Sequence, residues 1–196
     1  MPPPEVKPVP PPAPTEPANQ LATPPSQFTV THEFERVLQA QASGFHVKAT
    51  PRMPQLRVGK DRLSFDITSE RDGFVYVLVN GPDGSLILLM PNNIVTNNKI
   101  RAGQSDSMPP ATWKLDTVEP TGREDFLVIV SQSKRDFKHL ATGRQDGLLV
   151  LPTGEGGAAL AREFSGPGSV LSGRATCEAS GCDEYGAAKF SVDIVR

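Results

Sequence analysis

The stretch Phe74–Met90, FVYVLVNGPDGSLILLM, decides the fold. Its first six residues, up to Asn80, are β-branched, aromatic or aliphatic, the composition of a central strand. Pro82-Asp83-Gly84 then supplies the residues that favour a tight reversal, and Ser85–Met90 returns as the partner strand. Upstream, Leu63, Phe65 and Ile67 alternate with Ser64, Asp66 and Thr68, which reads as a half-buried strand. Asp72-Gly73 reads as the turn between these two strands. Downstream, Phe126–Ser131 (FLVIVS) is a second core strand. Ala187–Val195 closes the chain with Phe190, Val192 and Ile194 alternating with more polar positions. Short strands punctuated by turns predict a mainly β protein, an antiparallel β-sandwich of immunoglobulin-like type. Its expected core includes Phe65, Ile67, Tyr76, Leu78, Leu88, Leu127, Ile129 and Phe190.

Few helices accompany these strands. Residues 31–42 carry Phe34, Val37, Leu38 and Gln41 at helical spacing, with Thr31 as the expected cap, Glu33 and Glu35 in the first turn and Gly44 as the stop. The apolar stripe is narrow, so this helix is expected to pack on the domain that follows. Asp136–Thr142 and Ala158–Phe164 read as short helices. Lys99–Ala102 and Thr112–Asp116 read as weaker strands, and Gly147–Leu151 as an apolar one.

The 196 residues divide by composition. Eleven of the 20 prolines fall within residues 1–25, and the first glycine is Gly44. Proline fixes φ and removes a backbone donor, so residues 1–25 are expected to form an extended, solvated linker. Residues 26–196 are expected to form a single β-sandwich domain with its N-terminal helix, long enough to bury one core. Met1 opens directly on the spacer, with no charged-then-apolar leader. The expectation is a fragment preceded by another domain, a membrane anchor or both. The net charge of -2 gives no broad nucleic-acid footprint. No apolar run reaches the ~20 residues that span a bilayer.

The chemistry-bearing residues are sparse. Cys177 and Cys182, in CEASGC, are the two cysteines. They read as a disulfide around Gly181, with free thiols and half of a zinc site as the competing readings. Gly154–Ala159 (GEGGAA) matches G-x-G-x-x-A between a strand and a helix. Too little chain follows for a β-α-β unit, so a flexible glycine loop is expected. There is no G-x-S-x-G elbow and no H-E-x-x-H. His46 is expected on an edge strand facing solvent, and His139 on the polar side of its short helix. Asp61, Asp66, Glu124 and Asp125 read as turn or surface acids. Arg52, Arg57, Lys60 and Arg62 form one basic stretch, and Lys134, Arg135, Lys138 and Arg144 another. Both read as solvated faces, with anionic partners as the alternative. Trp113, beside Pro109-Pro110, reads as core, with an exposed anchor as the alternative.

Several segments together resemble a known family. They are Leu56–Asn92 (LRVGKDRLSFDITSERDGFVYVLVNGPDGSLILLMPN), Asn97–Gly103 (NNKIRAG), Pro120–Ser131 (PTGREDFLVIVS), Arg135–Phe137 (RDF) and Cys182–Val195 (CDEYGAAKFSVDIV). The chain resembles a bacterial domain of unknown function that forms the C-terminal extracytoplasmic part of membrane-anchored serine/threonine protein kinases, some encoded with type VI secretion systems. The resemblance implies a noncatalytic binding or sensor module, periplasmic and membrane-tethered. Its expected partner is an envelope or secretion-system protein, or a cell-wall ligand. A structural docking module without signalling is the alternative. No cofactor, metal, nucleic acid or catalytic residue is expected. Asn92, Asn93, Trp113, Arg57 and Arg62 are the candidate binding residues. Kinase signatures are absent from this chain.

Overall fold

Along the described residues, 28–166 and 168–196 of the computed structural model, the chain runs α1 (Val30–Gln39), β1 (Val47–Pro51), β2 (Gln55–Arg57), β3 (Phe65–Ser69), β4 (Gly73–Asn80) and β5 (Leu86–Met90). It continues through β6 (Lys99–Ile100), β7 (Ser105–Met108), β8 (Gly122–Ser131), β9 (Arg135–Asp136), β10 (Gly143–Gln145) and β11 (Leu148–Leu151). It ends with α2 (Gly154–Glu163), β12 (Arg174–Ala175) and β13 (Tyr185–Val195). Two 3-10 turns, Lys138–Leu140 and Val170–Ser172, complete it. The linker expected over residues 1–25 lies outside the described residues.

The sheet is built around β4. An eight-stranded sheet has the order β10-β11-β5-β4-β8-β13-β2, with β6 on the start of β4. A three-stranded sheet, β1-β3-β7, packs on one of its faces. Every strand pair is antiparallel except β13 with β2, which run parallel from Asp193↔Gln55 to Val195↔Arg57. The expected antiparallel sandwich is therefore present. Gly84 lies at the β4–β5 reversal with φ +79, a conformation that L side chains rarely adopt. Gly73 is needed for a different reason than the expected turn. It opens β4, and a Cβ there would stand 2.7 Å from the Ser131 carbonyl oxygen across the β4–β8 ladder.

A third layer covers the other face of the large sheet. Val75 and Val77 of β4 point toward the small sheet, while Tyr76 and Leu78 point toward α1, Phe137, Leu140, Val170 and Leu171. β8 divides in the same way: Phe126, Val128 and Val130 face the small sheet, Leu127 and Ile129 the helical side. A strand buried on both faces reads as a continuous apolar run, which is what FVYVLV and FLVIV are. β13 alternates because the helical layer covers only its first part. Tyr185 and Ala187 are buried there, whereas Lys189 emerges and pairs with Glu35 of α1. An immunoglobulin-like two-sheet packing is compatible with this arrangement, and the helical layer is added to it. Between the sheets, Phe126 and Phe190 stack at 4.8 Å and Phe65 lies 4.9 Å from Phe190.

Several local expectations are corrected. Thr29, not Thr31, caps α1, its side chain accepting the His32 N–H at 3.3 Å, and the helix ends at Gln39, ahead of Gly44. Glu33 lies in the first turn as expected and is buried there: its carboxylate accepts from Arg36 at 3.2 Å and from the Ser169 hydroxyl at 2.5 Å. Thr112–Asp116 forms only the isolated bridge Arg62↔Asp116, and the strand of that region is β7, whose sequence SDSM lacks apolar alternation. Asp136–Thr142 contracts to a 3-10 turn. Gly154–Ala159 is the opening of α2, so it is helix and not a flexible loop. Phe74 is half-buried at the end of its strand.

Two substitutions test these assignments. Phe65→Ala removes a ring that is 1% exposed between two others, and is expected to cost about 3–5 kcal/mol in thermal or urea unfolding. An unchanged melt would show that β3 is packed differently. Glu124, half-buried on β8, is raised above its ordinary value of 4.5 by burial and then by the charge of Asp83. Folding therefore binds its proton more tightly than the unfolded chain does, and its charge costs stability at neutral pH. Glu124→Gln is expected to raise the melting midpoint at about pH 7, with the gain vanishing toward about pH 3, where both states are protonated. Equal midpoints at neutral pH would place this carboxyl in water.

Candidate functional site

The loop leaving β5 is shaped by its own amides. Asn92 accepts at Oδ1 from the Ile94 N–H at 2.7 Å and the Val95 N–H at 2.8 Å, and its Nδ2 donates to the Leu89 carbonyl at 2.8 Å. This is the local side-chain closure that asparagine favours in turns. At the far end, buried Asn98 donates from Nδ2 to the Val75 carbonyl at 2.9 Å, and its own carbonyl accepts the Val75 N–H at 2.7 Å. Both ends are thus pinned to the sheet, and Asn93 and Ile94 are presented outward.

Against this loop lies a cleft of about 350 Å³. Its apolar floor is Tyr76, Leu88, Phe137 and Leu149, and its rim carries Asn93, Thr96, Lys138 and Arg144. Arg144 donates to the Gly147 carbonyl at 3.0 Å. Asp136 turns its carboxylate onto the Lys138 N–H at 2.8 Å, with His139 Nδ1 at 3.7 Å. An apolar floor with amide, hydroxyl and cationic groups at the rim suits a small organic anion with an apolar body.

Arg135 walls the cleft from beneath, a position that reverses its reading as part of a solvated basic stretch. Its side chain is 1% exposed. The guanidinium donates to Ser131 Oγ at 2.8 Å, to the carbonyls of Ser172 and Gly173 at 3.1 and 3.2 Å, and to the Asp183 carbonyl at 2.7 Å. It also pairs with the Asp183 carboxylate and lies 4.7 Å over the Tyr185 ring. Its backbone N–H donates to the Tyr76 hydroxyl at 2.6 Å. Tyr185 in turn donates to the Val37 carbonyl at 3.0 Å. Burial pushes its phenol up to about 12, against the opposing effect of Arg135 and with a small contribution from Asp183. It is a fixed donor and not a base.

Two further hollows flank this site. A cleft of about 650 Å³ lies between the end of α2 and the loop closed by the Cys177–Cys182 disulfide, with Val170 and Tyr185 among its lining residues. The paired-cysteine reading is therefore the one the structure supports; the Cα atoms stand 6.2 Å apart. A shallow groove of about 590 Å³ surrounds Phe74. The ammonium groups of Lys99 and Lys134 each lie 5.9 Å from that ring, and Arg71 and Arg101 join the lining. Arg71 pairs with Glu184 at 2.6 Å, and Asp72 turns inward to accept the Ala102 N–H at 2.8 Å. Among the described residues, no carboxylate lies within 4.0 Å of the Lys99, Lys134 or Lys138 ammonium groups or of the Arg101 or Arg144 guanidinium groups.

The remaining candidate residues sit elsewhere. Trp113 is half-buried, with Leu115, against the core between the sheets, near Phe65 and Met108. Arg57 is engaged by Asp61, its Nε 2.9 Å from Oδ2, and this guanidinium holds the Asp61 carboxyl below the usual carboxylate range. Arg62 is engaged by Asp116 at 2.7 Å. Asp66 accepts from Arg52 and Ser107, which hold it low in the same way. The structure brings Asn92 and Asn93 together with Lys138 and Arg144, two stretches that sequence spacing could not join. It leaves Trp113, Arg57 and Arg62 outside that cleft. Among the described residues, no three His, Cys, Asp or Glu side chains converge as a metal site.

No curated protein matches the chain. The segment from β2 to the residue before β9 holds all five candidate binding residues and the Phe74 groove, but neither Arg135 nor the disulfide: residues 55–134 match the model of a family described as Domain of unknown function (DUF4384).

Proposed function

We propose that this chain is a noncatalytic, extracytoplasmic binding or sensor module, and that its ligand occupies the cleft between the Asn93 loop and Lys138–Arg144. The observation that carries the reading is the cleft's makeup. An apolar floor of Tyr76, Leu88, Phe137 and Leu149 lies under a rim whose Lys138 and Arg144 have no carboxylate partner among the described residues. Such a site favours a carboxylate-bearing cell-wall fragment, one of the partners that the family resemblance implies. The same resemblance places the module at the end of a membrane-tethered serine/threonine kinase, where occupancy of the cleft would be the signal. The disulfide supports an oxidising compartment. Among the described residues, no helix is long and apolar enough to cross a membrane, so in this reading the tether is not part of the described domain.

Two experiments test the proposal. Protein expressed in the periplasm and denatured without reductant is expected to show no titratable thiol, and Cys177→Ser is expected to lower stability by about 2 kcal/mol, the loop-closure contribution of so short a ring. Two titratable thiols would remove the support for the compartment. For the cleft, soluble peptidoglycan stem peptides are expected to shift the amide resonances of Asn93, Thr96, Lys138 and Arg144. Lys138→Ala is expected to weaken that binding roughly tenfold, the loss of one charge-assisted contact. Shifts confined to other surfaces, or binding indifferent to Lys138→Ala, would overturn the assignment.

A further inference from the structure

Most arginines of this protein are ion-paired, whereas lysines such as Lys48, Lys60 and Lys114 have no carboxylate partner among the described residues. Arg52, Arg57, Arg62, Arg71 and Arg123 are each held by a carboxylate within 4.0 Å. Around the Asn92–Asn98 loop the pattern reverses. Lys138 and Arg144 share a cleft with Asn93 and Thr96, while Lys99, on β6 just beyond the loop, shares the Phe74 ring with Lys134, and Arg101 lines the same groove. None of these five has a carboxylate partner among the described residues. Of the nearby acids, Glu184 pairs with Arg71, Asp72 and Asp136 accept backbone N–H groups while keeping their charge, and Asp146 is exposed beside Arg144.

At the tip of the same loop stands Ile94, 61% exposed. It is held there by the Asn92 side chain, which accepts its N–H, while the next residue, Val95, is buried. Exposure alone would mean little, because single apolar residues are common on surfaces. Val118 is as exposed, at 67%, yet its neighbours are Glu119 and the Asp116 that pairs with Arg62. Ile94 differs in being an apolar loop tip fixed by Asn92 and lying in the chain between Asn93 and Thr96, which line the cleft that holds Lys138 and Arg144. That combination matches the two terms of binding at a membrane surface: charge attraction to anionic headgroups and burial of a small apolar group at the acyl boundary.

We propose that the Asn92–Asn98 loop and its flanking cations form a docking surface for an anionic lipid bilayer, with Ile94 entering the interface and Lys99, Arg101, Lys134, Lys138 and Arg144 over the headgroups. The surface shares Lys138 and Arg144 with the neighbouring cleft, whereas Ile94, Lys99, Arg101 and Lys134 lie outside it. An acidic protein would satisfy the cations but gives no role to Ile94, which is why the bilayer is the favoured partner.

Flotation of the full chain with vesicles tests this. Binding is expected to phosphatidylcholine vesicles containing phosphatidylglycerol, not to phosphatidylcholine alone, and to fall steeply as salt is raised. Ile94→Ser, a surface change expected to leave the melting curve intact, should reduce partitioning roughly tenfold, and Ile94→Leu should retain it. Removing a cation, as in Arg101→Gln or Lys138→Gln, should cost about fivefold each. Stem-peptide binding should be unchanged in Ile94→Ser, which separates this surface from the cleft. No binding to anionic vesicles, equal binding to both vesicle types, or binding indifferent to Ile94→Ser would overturn the proposal. So would capture by polyglutamate with no binding to vesicles, which would point to an acidic protein.

Discussion

The arrangement of the helical layer depends on one buried cation. A guanidinium taken out of water is costly unless its donors are satisfied, and Arg135 finds acceptors on every side. Ser131 comes from the end of β8, Ser172 and Gly173 from a 3-10 turn, and Asp183 from the segment leading into β13. Tyr185 receives its flat face, and Tyr76 of β4 accepts its backbone N–H. These segments carry little apolar surface of their own between Gly173 and Asp183, so polar geometry holds them in place. Because the acceptors are mostly backbone carbonyls in fixed positions, the contact also sets the register of the turn against the sheet.

The same residue stands between two of the clefts. Arg135 lines the hollow that holds Asn93, Lys138 and Arg144, while its acceptors Ser172, Gly173 and Asp183 line the hollow beside the disulfide. The Cys177–Cys182 bridge constrains the loop that delivers Asp183 to Arg135. One rigid polar joint is therefore common to both sites. Beneath it, β4 and β8 are buried on both faces and cannot shift without opening two cores at once. Mobile chemistry has little room there, which leaves the loops at the sheet's end as the surface available for recognition.

The matched family segment ends between Lys134 and Arg135. On one side of that point lie the Asn92–Asn98 loop and the Phe74 groove. On the other lie the Arg135 joint, the rim residues Lys138 and Arg144, and the disulfide. The cleft is thus assembled from the matched part, which supplies the amides and half of the floor, and from chain outside that match, which supplies the rim cations. The cations around Phe74 sit within the matched part, apart from the contact of Arg71 with Glu184.

The sequence by itself determined the strands. Alternation and β-branched runs located β3, β4, β5, β8 and β13, the Pro82–Gly84 reversal paired β4 with β5, and the spacing of Phe34 and Val37 gave α1 its buried face. These signals are legible because they are local: a side chain's face follows from its position in its own element. Only the tertiary structure decided which basic residue is buried, since Arg135 reads like Lys134 until its acceptors, all but Ser131, arrive from 37 to 59 positions away. It likewise showed that Asn92 builds a loop while Asn93 faces a cleft, and that β7, polar in sequence, completes a sheet because its backbone finds β3. For Arg135, Asn93 and β7 the deciding partner is distant along the chain, while the bonds of Asn92 are local but follow no periodicity.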